Sequence, residues 1–269
     1  MKLKIGADPE LFLKHAGEYK SAFGMIPGTK EAPHPVPKGA VQVDGMALEF
    51  NINPAASSRI FVNNIDKVLK SLRDMVPEEY EFCFHPTASF TRGHMLAQPA
   101  EALDLGCDID YNAYNGRPNP KPDGYTAMRT AAGHVHIGWK RSNNKIDLRH
   151  FEASRLLVKQ LDYMLGVPSV LLDKVCARRM MYGSAGAFRP KKYGAEYRVL
   201  SNFWLEDKAL MKWVFDSTQA AFNLLEEGVH LSDRFHSPRE IINYSRKEDA
   251  QGLIDKGLWK YIIDNGVLQ

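Results

Sequence analysis

Cysteine is scarce in this chain, and what there is lies scattered. Cys83, Cys107 and Cys176 are the three among 269 residues. They are odd in number and lack CxxC spacing, which excludes a disulfide framework and a cysteine zinc site. A reducing compartment, the cytoplasm, is expected. No apolar run approaches the ~18 residues of a membrane span. No signal-peptide core follows Met1-Lys2-Leu3-Lys4-Ile5, because Gly6, Asp8 and Glu10 interrupt it at once. The expectation is a soluble, unexported protein. Charge of one sign is also missing: 35 Lys and Arg against 32 Asp and Glu leave +3. That is too little to predict a nucleic-acid partner and is compatible with an anionic small substrate. Neither GxxxxGK[ST] nor GxGxxG occurs, so a Walker loop and a dinucleotide fingerprint are both absent. There is no internal repeat and no low-complexity tract.

What is present is an ordinary globular composition, 44% hydrophobic and 25% charged, enough to bury a core. Two segments are rich in loop residues: Gly24 to Gly39, with Pro27, Pro33, Pro35 and Pro37, and Gly106 to Gly124, with Pro118, Pro120 and Pro122. Neither separates two independent apolar units, so one domain is expected. From Ser58, the residues Phe61, Ile65, Val68, Leu69, Leu72 and Met75 recur at helical spacing before Pro77. Asp147 caps a second stripe, closed by Gly166 and Pro168. Leu210, Trp213, Val214, Ala221, Leu224 and Leu225 mark a third. Leu171 to Met181 reads as helical, and short helices are expected after Ser237-Pro238. Strand-like alternation covers Leu3–Leu13, Val41–Asn53, Tyr80–His85, Gly133–Trp139 and Gly194–Phe203. Alternating strands do not fit a parallel sheet buried on both faces. The fold class is therefore α+β: a largely antiparallel sheet with helices on one face.

Side chains two apart on a strand share a face. Asp8 pairs with Glu10 in this way, Glu49 with Asn51 and Asn53, His134 with His136, and Glu196 with Arg198. Val135, Ile137, Tyr197 and Val199 take the opposite faces. If the polar faces converge, three or four carboxylates and two imidazoles share one cavity. Such carboxylates raise one another's pKa unless a cation compensates, so a divalent metal is implied. Oxygen-rich ligands favour Mg2+, and an imidazole in the set admits Mn2+. Arg189, Lys191 and Lys192 lie in a glycine-rich stretch just before Glu196. Carboxylates for metal with cations for anions are the parts that phosphoryl transfer needs.

These motifs resemble those of the glutamine synthetase and glutamate–cysteine ligase superfamily. Gly133-His134-Val135-His136 is similar to its Gly-Met-His-x-His strand, and Asp8-Pro9-Glu10 to its Glu-x-Glu. Leu48-Glu49-Phe50-Asn51 is similar to its second acidic strand, and Glu196-Tyr197-Arg198 to its Glu-x-Arg. The short phage-type carboxylate–amine ligases, or amidoligases, are the branch these stretches look like, over residues 5–205. The resemblance implies one catalytic domain over 1–269, with helices in 206–269 and a curved, mostly antiparallel sheet backed by helices. It implies ATP and Mg2+ or Mn2+. Glu10 and Glu49 would bind one metal, with Asp44 joining them, and Asp8, His134 and Glu196 the other. His136 would contact the nucleotide phosphates. Arg189 and Arg198 would hold the transferred phosphoryl group, with Lys191 or Lys192 assisting. Asp8 departs from the family's usual Glu, which shortens its reach, and the chain has no counterpart of the small N-terminal domain of glutamine synthetases.

The function expected is formation of an amide from a carboxylate and an amine through an acyl phosphate, in the cytoplasm, or the host cytoplasm if the chain is phage-encoded. Small-molecule or peptide acids and amines are the expected partners. Asp110, Tyr111 and Tyr114 are candidates for acceptor contacts. Three rivals remain open on the residues alone: a metal-dependent hydrolase using His134 and His136, a phosphotransferase, and a non-catalytic phage binding protein on the same fold.

Overall fold

The computed structural model describes residues 3–103, 109–120, 127–139, 145–173, 175 and 177–268. Cys107, Cys176 and parts of the 106–124 segment lie outside the described residues. In chain order the strands are β1 (Lys4–His15), β2 (Glu18–Lys20), β3 (His34–Val36), β4 (Gly39–Asp44), β5 (Ala47–Ile52) and β6 (Glu81–Cys83). They continue as β7 (Thr87–Ser89), β8 (Tyr111–Asn112), β9 (Met128–Thr130), β10 (Gly133–Gly138), β11 (Ala187–Lys191) and β12 (Gly194–Tyr197). Ten of these form one sheet in the order β3-β4-β5-β1-β10-β12-β11-β8, with β2 and β6 added along β1, while β7 and β9 pair separately. The pairings are antiparallel throughout.

The long first strand is the hub, and its alternation explains why. Ile5, Ala7, Leu11 and Leu13 are buried in the main core, whereas Lys4, Asp8, Glu10 and Phe12 line a cavity on the other face. The same parity repeats next door. Val135 and Ile137 of β10, Leu48 and Phe50 of β5, and Tyr197 of β12 enter the core. Each strand thus supplies one apolar and one polar face.

Three long helices cover the apolar face. In the Ser58–Met75 helix, Ser57 caps the start by accepting from Ile60 N–H, and Phe61, Ile65, Val68 and Leu72 form the buried stripe. Burying each such side chain contributes about 1.5–3 kcal/mol. Asp147 caps the Leu148–Leu161 helix, and Asp207 caps Lys208–Glu226. Phe61 packs on Trp204 and Phe215, with ring centroids 6.1 and 5.6 Å away. No helix among the described residues is long and apolar enough to cross a membrane.

Three local expectations are corrected. Val41–Asn53 is not one strand but the β4–β5 hairpin, turned at Gly45, whose φ of 57° lies in the left-handed region. The second long helix does not close at Gly166 and Pro168. It passes through a π turn, Asp162–Gly166, into Val167–Leu172. Pro168 falls in the first turn of that helix, where a missing N–H costs little. The Leu171–Met181 helix is broken at Asp173, which is extended, and resumes only at Ala177–Met181. Beyond these, the glycine-rich stretch before Glu196, to which the sequence assigned no element, contains β11.

Candidate active site

A cavity of about 870 Å³ opens on the polar face of the sheet. Register, not sequence distance, assembles it. Asp8 stands opposite His134 and Gly6 opposite His136 in the β1–β10 pair. Glu10 stands opposite Glu49, Glu49 opposite Gln42, His136 opposite Glu196, and Glu196 opposite Arg189. Four neighbouring strands and a hairpin therefore bring residues 8 to 198 onto one wall.

The wall has two acidic groups. In the first, ligand atoms of Asp8, His136 and Glu196 all lie within 4.8 Å of one another. His136 Nε2 is 2.9 Å from Asp8 Oδ1. His134 Nδ1 lies 3.5 Å from both Asp8 Oδ1 and Glu196 Oε1, and the residue is 4% exposed. Asp8 Oδ1, His134 Nε2 and His136 Nε2 are buried without an aligned hydrogen-bond partner. The resemblance assigned His134 to the metal and His136 to phosphates; the structure places both imidazoles beside Asp8 and Glu196, with His136 in the tightest set.

Electrostatics divide the same residues. Burial pushes the Asp8 carboxyl up, but the His136 charge and contacts from both imidazoles outweigh it and hold the group well below the usual range. Burial and the Arg198 charge hold His134 well below its ordinary value. For His136, burial is outweighed by Asp8 and Glu196, and the shift is upward.

In the second group, burial and then the charge of Asp44 push the Glu10 carboxyl up to about 7. Burial and the charges of Asp8, Asp44 and Glu10 push Glu49 well above the usual range. Glu10 Oε2 accepts from Ala132 N–H at 2.9 Å, and Glu49 Oε2 from Gln42 Nε2 at 2.6 Å. These contacts fix the orientation of both carboxylates towards the cavity.

Cations close the constellation around Glu196, which is 0% exposed. Lys191 Nζ lies 2.7 Å from its Oε2, Arg189 Nη1 3.4 Å away, and Arg198 Nη1 contacts Oε1. Arg198 also reaches Asp110 at 3.3 Å. Lys192 is exposed in the β11–β12 turn and off the cavity wall, so Lys191 alone of the two is placed to assist there. Of the acceptor candidates, Asp110 reaches the site. Tyr111 packs edge-on against Phe151 at 5.2 Å, and Tyr114 donates to Asp162 beneath the sheet at 2.8 Å. Segment 24–39 contributes Lys30 and Pro33 to the wall.

The donor set fits a divalent cation. Oxygen and nitrogen ligands at ~2.0–2.5 Å from an ion stand up to about 4–5 Å from one another, as in the first group. Buried polar atoms without aligned partners are rare in proteins, and an ion shared by Asp8 and His136 would satisfy two of these three.

Several wall residues escaped the sequence reading. Tyr193 contacts His136 Nδ1, Gln42 steers Glu49, and Tyr182 lies under Arg198, whose Cζ is 5.3 Å from the ring centroid. Tyr193 follows Arg189 and Lys191 at the same two-residue parity, a signal present in the sequence once β11 is recognised. Nothing in the sequence marks Gln42 or Tyr182.

Residues 124–246 match the family described as phage phiEco32-like COOH.NH2 ligase-type 2. The match bears out, over that segment, the resemblance to phage-type carboxylate–amine ligases. It includes His134, His136, Arg189, Lys191, Glu196 and Arg198; Asp8, Glu10, Asp44 and Glu49 lie before it and join the site through strand pairing. No curated protein matches the chain. Among solved structures it is similar to a bifunctional glutathione synthetase from Pasteurella multocida, with 13% identity and a TM-score of 0.44, covering 97% of this chain and 46% of that one. The chain thus spans about half the length of that protein.

Proposed function

We propose that this chain is an ATP-dependent ligase of the phage type, working on a glutamine-synthetase-like sheet in the cytoplasm. It joins a carboxylate to an amine through an acyl phosphate and requires Mg2+ or Mn2+. The family match supports the ligase class. The observation that carries the metal- and nucleotide-dependent reading is the juxtaposition around Glu196: the ligand atoms of Asp8, His136 and Glu196 lie within 4.8 Å of one another, and Arg189, Lys191 and Arg198 contact the same carboxylate.

Asp8, His134, His136 and Glu196 would hold one metal, and Glu10 and Glu49, with Asp44, a second. A divalent cation supplies charge neutralisation between the substrate carboxylate and the triphosphate. The rest of the chemistry belongs to the chain. Arg189 and Lys191, on one strand face, present cations to the phosphates. Arg198 stabilises charge on the transferred phosphoryl group. The acid and amine are small molecules or peptides.

The test is release of ADP by the purified chain with Mg2+ or Mn2+. It should require both a carboxylate and an amine, and Glu196→Ala should abolish it while the protein stays folded. Release of AMP, or nucleotide-independent hydrolysis, overturns the proposal.

A further inference from the structure

Tyr193 occupies the turn that joins β11 to β12 and lines the cavity. Its carbonyl accepts from Trp139 N–H at 3.1 Å, which ties the turn to the end of β10. Its ring lies 6.1 Å from that of His136, at an interplanar angle of 39°. Its hydroxyl contacts His136 Nδ1. The other ring nitrogen, Nε2, faces Asp8 Oδ1 at 2.9 Å and is buried without an aligned hydrogen bond.

A neutral imidazole has one proton and one free lone pair. If Nε2 is to ligate a cation, the proton must sit on Nδ1, and the hydrogen bond made by Nδ1 decides that placement. Tyr193 Oη must then accept from Nδ1–H. A hydroxyl that accepts on one side still has its own proton to donate. Arg189 and Lys191 of the same hairpin line the same wall, and their charges favour an anionic ligand there that would accept that proton.

We propose that Tyr193 is a positioning residue that couples the two halves of the site: it holds His136 with its proton on Nδ1 and Nε2 free for a cation, and its own O–H then donates to an anionic oxygen beside that cation. This rests on the metal reading above. Cation and anion occupancy consequently strengthen each other, and by linkage each does so by the same factor. The plain alternative is that Tyr193 serves only as an aromatic wall, a role that phenylalanine would fill equally.

Tyr193→Phe separates the two. Mn2+ binding to the full chain is measured by calorimetry, with and without inorganic phosphate. The variant should melt with the wild type, yet bind Mn2+ roughly 10-fold or more weakly, the range for loss of a partner behind a metal-bound histidine. Phosphate should tighten Mn2+ binding in the wild type and leave the variant unchanged. In a His136→Gln background the same Tyr193 substitution should have under about 2-fold further effect, because its route to the cation is gone. A Tyr193→Phe protein whose Mn2+ affinity is within about 2-fold of wild type, or equal losses in both backgrounds, overturns the inference alone. A wild type that binds no Mn2+ overturns it together with the metal reading.

Discussion

Asp8 Oδ1 and His136 Nε2 lie 2.9 Å apart across the β1–β10 pair, yet both are buried without an aligned hydrogen bond. The two groups sit diagonally in the ladder, since Asp8 is opposite His134 and His136 is opposite Gly6. Gly6 has no side chain between them, so the imidazole can lean towards the carboxylate. A third ligand, Glu196, arrives from β12 because it is the register partner of His136. An acid–imidazole contact with a buried carboxylate beside it is a donor set that a shared divalent cation would fit.

Removing a ligand should therefore remove the cation. Asp8→Asn and Glu196→Gln should each weaken Mn2+ binding by about 100-fold, the loss of a charged first ligand exceeding the roughly 10–100-fold of an outer partner. Calorimetric titration reads this directly. Wild-type affinity in both variants is incompatible with the site.

Metal binding should also report on Glu10, whose carboxyl is pushed up to about 7. A cation needs the ionised form, so binding displaces a proton below that value. Affinity should climb from about pH 6 to about pH 8 and then level off, with proton release seen as a buffer-dependent heat. Glu10→Gln should lose that slope. An affinity flat across the interval counts against Glu10 as a ligand.

Lys191 should show effects of opposite sign on two ligands. Its Nζ neutralises Glu196 at 2.7 Å, competing with a cation for the same carboxylate. Lys191→Met should tighten Mn2+ binding in the absence of nucleotide by several-fold, for an ion-pair change of ~1 kcal/mol. It should weaken ATP binding in its presence. If both affinities move the same way, Lys191 does not exchange between the two partners.

On the opposite side of the sheet, Asp162 makes a stability prediction independent of function. Tyr114 and Tyr197 each donate to it at 2.8 Å, but burial dominates and raises its carboxyl from 3.8 to about 7. The folded state keeps this proton up to about pH 7, while the unfolded chain loses it near pH 4. Stability should thus fall as pH rises between those values, by at most about 4 kcal/mol in total. Asp162→Asn removes the fall. Thermal melts should show the variant gaining on the wild type from about pH 4 to about pH 7; a constant difference between the two proteins sinks the assignment.

Gly133, at the foot of β10, admits no side chain. An added Cβ would stand 2.2 Å from Ser201 O and 2.3 Å from Trp204 Nε1, and the first of these is backbone. Gly133→Ala should cost at least about 2–3 kcal/mol by denaturant titration. A near-neutral result means that the Ser201–Trp204 segment is free to retreat.

Much of this was legible in the chain because two-residue parity is a local property. Once Lys4–His15 and Gly133–Gly138 alternate, Asp8 and Glu10 must face away from Ile5 and Ala7, and His134 and His136 away from Val135 and Ile137. The amphipathic stripe at Phe61, Ile65, Val68 and Leu72 was equally plain, since a helix repeats its face every few residues. The β11 strand was hidden, however, because glycines at 183 and 186 mark a loop and Pro190 weakens the strand signal. The π turn at Asp162–Gly166 was hidden for a similar reason: Gly166 and Pro168 read as a stop.

The sequence alone determined which side chains face together within each strand, the antiparallel character of the sheet and the likeness to carboxylate–amine ligases. Tertiary structure decided which strands lie side by side and in what register, and hence that Glu10 meets Glu49, that His136 rather than His134 joins the tightest set with Asp8 and Glu196, and that Tyr193 backs that imidazole. The reason is range. Parity follows from the backbone of a few residues, but register is settled by the burial of side chains far apart in sequence, and no short window of sequence contains both partners.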